Sequence, residues 1–194
     1  MSMPFKETEH AHKFLYEMIN DDWLKDINVL ETQYIKLPRT SVKHYISRMA
    51  ALNIHTNPFG GDWHFHDTFF WPGRENDYEQ LKSRLNFLCG EGENCNTNDI
   101  LGKKGVVERS GLIRSTGLTF QGEKAYVATY PRAIADMILF HTKNCVPKNI
   151  TLDEWTPREK EQKKILEYLN LALKSDRIDA EQKVRIKEWI KLQK

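Results

Sequence analysis

Between Thr32 and Gly61 the chain places Lys36, Arg39, Lys43 and Arg48 without a single Asp or Glu. Arg and Lys can hydrogen-bond guanine edges or phosphate oxygens, and the interspersed Thr40, Ser41 and Ser47 hydroxyls can serve either target. The next stretch reverses the sign: Asp62, Asp67, Glu75, Asp77, Glu79, Glu91 and Glu93 face only three basic residues. A cationic stripe beside an acidic segment suits a surface that orients itself on a polyanion, with an ordinary solvated surface as the alternative. The formal net charge of +2 in 194 residues is small, so any nucleic-acid affinity must come from how charge is distributed.

Positioning that stripe requires helices before and around it. From Glu9, the positions Ala11, Phe14/Leu15, Met18/Ile19 and Trp23 follow a helical period. A second helix is predicted from Asp26, with Ile27, Leu30, Tyr34 and Leu37 on one face, and Pro38 stops it. Thr40 or Ser41 can cap a third, whose apolar stripe is Val42, Tyr45/Ile46, Met49 and Leu52 and whose end is Asn53. Its opposite side carries Thr40, Ser41, Lys43, His44, Ser47 and Arg48. Ile54 to Asn57 then reads as a short strand and Pro58 to Gly61 as a turn. Alternation places Trp63, Phe65, Phe69 and Trp71 on one face of a second strand and His64, His66, Thr68 and Phe70 on the other.

The string Leu37-Pro38-Arg39-Thr40-Ser41-Val42-Lys43-His44-Tyr45-Ile46-Ser47-Arg48-Met49 resembles the recognition-helix segment of bacterial winged helix-turn-helix regulators. The resemblance covers about the first 70 residues and implies a helix laid in the major groove of duplex DNA. Arg39, Thr40, Ser41, Lys43, His44, Ser47 and Arg48 would contact the groove and backbone, with Lys36 and Asn57 supporting. Further on, Val127-Ala128-Thr129-Tyr130-Pro131-Arg132-Ala133-Ile134-Ala135-Asp136 resembles a segment of abortive-infection-type antitoxins. Those proteins join an N-terminal winged helix to a second domain and repress their own operon. This chain departs from their motif: Tyr130 precedes the proline, and the glutamate expected after it is missing.

Pro72-Gly73 marks a boundary, giving a winged-helix domain at residues 8–72 and an α+β domain at 73–194. In the latter, Tyr78, Leu81, Leu85 and Leu88 predict a linking helix, and Gly90 to Asn98 a loop. Short β-like pieces follow at Val106-Val107, Leu112-Ile113, Leu118-Phe120 and Ala125-Val127. Pro131 suits the first turn of a helix burying Ile134, Met137/Ile138 and His141, with an Arg132–Asp136 pair at i, i+4. Thr156 to Glu159 has capping-box spacing, and Asp179 can cap a final helix carrying Val184, Ile186, Trp189 and Ile190.

Other chemistry is thin. His64 and His66, at i, i+2 on a strand, would point the same way and could share a metal ion. Cys89, Cys95 and Cys145 match no zinc or disulfide framework. Their odd number and the lack of a signal peptide favour a reducing, cytoplasmic setting. No apolar run approaches the roughly 20 residues of a membrane span. Gly102-Lys103-Lys104-Gly105 lacks the spacing of a nucleotide-binding loop and reads as an exposed basic turn. No nucleophile has a recognisable partner base.

The expectation is therefore an α+β protein, a winged helix-turn-helix followed by a helix-rich part with a small sheet. It would act as a sequence-specific regulator of double-stranded DNA, autorepressing and antitoxin-like, with no cofactor, metal or catalytic residue. A homodimer is expected, its contact supplied by Leu169, Ile186, Trp189 and Ile190. The competing class is a protein-interaction module that neutralises a partner such as a toxin. A metal-dependent enzyme built on His64 and His66 ranks third.

Overall fold

Tyr45 and Ile46 are fully buried, and they sit in a strand, not a helix. The computed structural model describes residues 34–56, 63–70, 85–156 and 158–193. Among these the chain is mixed α+β, with eight helices and one four-stranded sheet. In order they are β1 (His44–Ile46), α1 (Arg48–Thr56), α2 (Trp63–Phe69), β2 (Leu88–Gly90), α3 (Asn98–Leu101), β3 (Val106–Glu108), α4 (Ser110–Ser115), β4 (Tyr126–Ala128), α5 (Tyr130–His141), α6 (Leu152–Trp155), α7 (Glu159–Lys174) and α8 (Ala180–Leu192). A 3₁₀ turn, Leu85–Phe87, leads into β2.

The sheet order is β2-β1-β4-β3. β1 pairs antiparallel with β2, His44 opposite Gly90 and Ile46 opposite Leu88, and parallel with β4 through Ile46 and Val127. β3 runs antiparallel to β4, Val107 opposite Val127. Residues 34–56 share this sheet and one hydrophobic core with residues 85–193.

α5 is the axis of that core. It packs against α1 on one side and α7 on the other, and its residues Arg132 to Leu139 are all buried. Pro131 lies in its first turn, as the sequence indicates, but His141 is exposed. At and just beyond its other end, backbone carbonyls are met by α8. Gln182 Nε2 donates to Leu139 O at 2.8 Å, and Arg185 donates to Thr142 O at 2.6 Å and Lys143 O at 2.8 Å. Asp179 caps α8 as expected, accepting from Gln182 N at 2.7 Å. Ile165, Tyr168, Leu169 and Ala172 form the predicted buried stripe of α7. Leu169, Ile186 and Trp189 are buried within this core, so none of the three is free for the dimer contact assigned to it.

Several local expectations fail for a common reason. Residues 40–47 do not continue into a helix. Ser41 closes a turn, its Oγ accepting from Lys43 N at 3.1 Å and His44 N at 3.2 Å, and extended backbone follows. Tyr45 and Ile46 fit either a helical or a strand period, and the partners that decide, Leu88 to Gly90 and Val127, are distant in sequence. Val42 and Met49, assigned to the buried stripe, are instead exposed. Ile54 lies inside α1, so the first wing strand is absent, and the second is the helix α2, which buries Phe65 and Phe69 at i, i+4. Tyr34 and Leu37 form isolated bridges with Phe70 and Phe120 where the tail of the second helix was expected. Leu112-Ile113 belongs to α4, and α7 starts at Glu159 behind Arg158, without a side-chain cap from Thr156. The predicted first helix, Asn57 and residues 71–84 lie outside the described residues. No helix among the described residues is long and apolar enough to cross a membrane.

The β1–β2 pairing leaves no room beside Gly90. A Cβ there would stand 2.0 Å from Lys43 O, at φ +120°, whereas Gly92, at φ +84°, faces open space. Gly90→Ala is therefore expected to cost about 3 kcal/mol or more, and Gly92→Ala only about 1 kcal/mol of backbone strain. Urea midpoints of the two variants check this, and equal losses would contradict the close approach.

Candidate functional site

The residues expected to meet DNA do not share a face. Thr40 is buried, and its Oγ1 accepts from Tyr126 N at 2.9 Å. Ser47 is fully buried and donates to Asp136 Oδ2 at 2.7 Å. Lys43 pairs with Glu91 at 3.0 Å, and His44 Nε2 with Glu93 at 2.9 Å, so carboxylates from the acidic segment meet part of the cationic stripe. Arg48 lays its guanidinium over the Phe140 ring, 4.7 Å from the centroid, and adopts φ +53° where β1 turns into α1. Lys36, Arg39 and Ser41 remain exposed. Residues 40–47 therefore do not build a groove-reading helix. His64 and His66, now on a helix, point apart, and His66 stacks on Phe70 at 4.5 Å.

What the stripe does contribute is a buried polar hub. Arg132 and Asp136 have fully buried side chains and pair at 2.8 Å. This is the i, i+4 pair read from the sequence, but it lies in the core and not on a solvated face. Every group finds partners. Arg132 Nη2 donates to Tyr45 Oη at 2.6 Å and Thr97 Oγ1 at 2.8 Å, and Nη1 to Lys104 O at 2.6 Å and Gly102 O at 3.2 Å. Asp136 also accepts from Thr97 Oγ1 at 2.6 Å and Tyr45 Oη at 3.1 Å. Burial alone would weaken the charge on Arg132. The Asp136 charge, then Tyr45 and the Asp136 hydrogen bond, together offset this and hold the guanidinium above its ordinary value. Burial, then the Asp136 charge, push the Tyr45 phenol far up, so it stays a neutral donor. The basic turn Gly102 to Gly105 supplies carbonyls to Arg132 in place of a phosphate cradle.

With all its partners satisfied, the hub has nothing left for a ligand. The open chemistry lies at the other side of α5. There a cleft of about 570 Å³ is lined by His55, Arg109, Thr129, Tyr130, Pro131, Arg158 and Glu161. Each of four elements brings part of it: the end of α1, the corner after β3, the first turn of α5 and the entry to α7. A second lobe of about 900 Å³ shares Thr129, Pro131, Arg158 and Glu161 and continues along α7 past Lys160 and Lys164.

The cleft's polar groups are unevenly committed. Thr129 precedes α5, yet its side chain makes no cap hydrogen bond, so neither its hydroxyl nor the first-turn amides are paired locally. Arg109 makes no ion pair among the described residues, and Arg158 reaches Glu161 only at 3.5 Å while mostly exposed. His55 Nε2 must donate to the Ala128 carbonyl at 2.8 Å, leaving Nδ1 as the acceptor. Burial first, then Arg109, hold the imidazole below the usual histidine range, against the Ala128 bond and Glu161. Burial, then Glu161, push the Tyr130 phenol up, and its hydroxyl donates to Trp155 O at 2.7 Å.

Sequence reasoning missed this set because no two of His55, Arg109, Thr129 and Arg158 lie within one turn of each other. The local signal that existed was Pro131 behind Thr129, which marks a helix start, where the Tyr130 and Arg132 amides are open and Pro131 has none. No protein-family model, curated protein or solved structure matches this chain.

Two outcomes test the assignments. Asp136→Ala leaves a buried guanidinium uncompensated and is expected to cost about 3–5 kcal/mol, while Arg132→Met/Asp136→Leu recovers much of that loss. Denaturant unfolding of the three proteins decides, since an equal loss in the double variant would show that the hub does more than satisfy its own charges. For His55 the folded pKa lies below the unfolded value of 6.5. The unfolded chain therefore binds the proton first, and stability falls as pH drops below about 6.5 until the folded imidazole also protonates. His55→Gln keeps a donor for Ala128 and should lose that part of the pH dependence.

Proposed function

We propose that this chain binds nucleic acid through the phosphate backbone, at the cleft lined by His55, Arg109, Thr129 and Arg158. The observation that carries this reading is the coincidence of the unpaired Arg109 guanidinium and the unpaired Thr129 hydroxyl at the open first turn of α5. α5 is a 12-residue helix, long enough for its aligned peptide dipoles to favour an anion at that end. Arg109 and Arg158 can each grip a phosphate with two parallel N–H donors, which a lysine cannot do. Lys160 and Lys164 of α7 line the adjoining lobe and add cationic groups beside the cleft.

Phosphate contacts fix position on a strand but carry no sequence information. Double-stranded DNA remains the proposed partner and transcriptional regulation the proposed role, with the antitoxin-like layout and a homodimer as finer proposals. In this reading the contact surface is the cleft and not the segment from Lys36 to Arg48. A protein-docking role has its own support: Val184 and Leu192 are exposed on one side of α8, 62% and 54% accessible.

Salt separates the two. Phosphate binding weakens steeply as monovalent salt rises from about 50 to 200 mM, whereas an apolar protein interface changes little. Fluorescence anisotropy on a labelled duplex is expected to show that steep dependence. Arg109→Ala/Arg158→Ala should lower affinity at least about tenfold and reduce the log–log salt slope by about 2, one for each phosphate released. Arg39→Ala/Lys43→Ala should bind as the parent does. The opposite ranking of the two double variants would sink the cleft assignment.

A further inference from the structure

Cys89 and Cys95 take no part in the cleft, and their placement has no counterpart in what the hub requires. Both are free thiols, buried at 0% and 1% exposure, while Cys145 is exposed. Their sulfurs stand 2.7 Å apart. Two non-bonded sulfurs do not settle this close, and a disulfide needs about 2.05 Å, so closure requires a movement of less than about 1 Å. The backbone already has the shape of a closed loop. Gly90 N donates to Cys95 O at 2.7 Å, and Glu93 N to Gly90 O at 3.1 Å, which folds the six-residue separation into a tight turn.

One member of the pair borders a small cavity. Cys95 lines a cavity of about 180 Å³ together with Thr97, Leu139, Phe140 and Gln182. That volume admits a molecule of a few atoms. A folded peptide or a protein oxidant would not fit.

We propose that Cys89 and Cys95 are a peroxide-responsive dithiol that closes to an intramolecular disulfide. One sulfur attacks the peroxide O–O bond, becoming a sulfenic acid and releasing water. The second sulfur then displaces the sulfenic oxygen as a second water, forming the S–S bond. Two thiols lose two hydrogens and two electrons in all, and one hydrogen peroxide is reduced to two waters.

Closure would act on the hub directly. Cys89 Sγ lies 3.8 Å from Thr97 Oγ1, and Cys95 Sγ lies 3.9 Å from the Asp136 carbonyl. A bond between the sulfurs ties β2 to the strand of chain that carries Thr97, and so fixes Thr97 against both Arg132 and Asp136. The oxidised form is the more rigid one. Burial slows reduction by bulky thiols.

The test uses the full chain carrying Cys145→Ser, which removes the exposed thiol. After treatment with hydrogen peroxide the protein is unfolded, its thiols are labelled with a maleimide, and it is cut after glutamate. Cleavage after Glu91 and Glu93 separates the two cysteines unless they are bonded. The expected result is loss of both thiols and recovery of the two cysteine peptides as one species lighter by two hydrogens. Reductant should restore both. The oxidised protein should also melt a few degrees above the reduced one. Two reactive thiols after treatment, oxygen added to unlinked cysteine peptides, or a bond between two chains would each overturn the proposal. Cys89→Ser in the same background is expected to leave Cys95 oxidised without any linked species. Should that variant fail to fold, the peptide result on the Cys145→Ser protein decides alone.

Discussion

The Arg132–Asp136 pair organises everything around it. Two opposite charges with fully buried side chains are tolerable only when every donor and lone pair is met, because removing each ion from water costs several kcal/mol. Here the partners come from the whole described chain: Tyr45 and Ser47 at the end of β1, Thr97 before α3, and carbonyls of the Gly102–Gly105 turn. Such a network allows few alternative arrangements. If β1 shifted by one residue, Tyr45 would leave the hub and Ile46 would take its place beside a charge.

That constraint explains why α5 is the axis of the fold. Its middle holds the ion pair, Gln182 of α8 meets its Leu139 carbonyl, Arg185 meets the two carbonyls just past its end, and its first turn opens onto the cleft. An anion at that first turn would meet amides that no side chain of the protein caps. The cationic stripe between Lys36 and Arg48 has the opposite character. Lys43 and His44 meet Glu91 and Glu93, and Ser47 serves the hub, so much of its hydrogen-bonding capacity is spent inside the fold.

The two sulfurs belong to the same picture. Cys89 in β2 and Cys95 beyond the turn lie against Thr97 and the Asp136 backbone, which places a redox-active group where small movements are felt by the hub. Burial sets the two systems apart in kind. The cleft is solvent-open and electrostatic, whereas the dithiol is enclosed beside a small cavity.

Some of this was legible before any coordinates. The stripe of α7, the Asp179 cap of α8, Pro131 at the start of α5 and the i, i+4 relation of Arg132 and Asp136 are local facts, set by helical period and by open backbone donors. The strands β3 and β4 were also visible as short β-branched runs. The segments that misled, Val42 to Ser47 and Trp63 to Phe70, fit two periods at once. The state of the first depends on partners roughly 40 to 80 residues away, and no local pattern encodes a partner. The same distance hid the cleft, whose His55, Arg109, Thr129 and Arg158 become neighbours only when α1, β3, α5 and α7 converge. The sequence by itself determined which residues carry charge, which can start or cap a helix, and which pair along one. Burial and pairing across the sheet decided which of those charges became structure and which stayed open to a ligand.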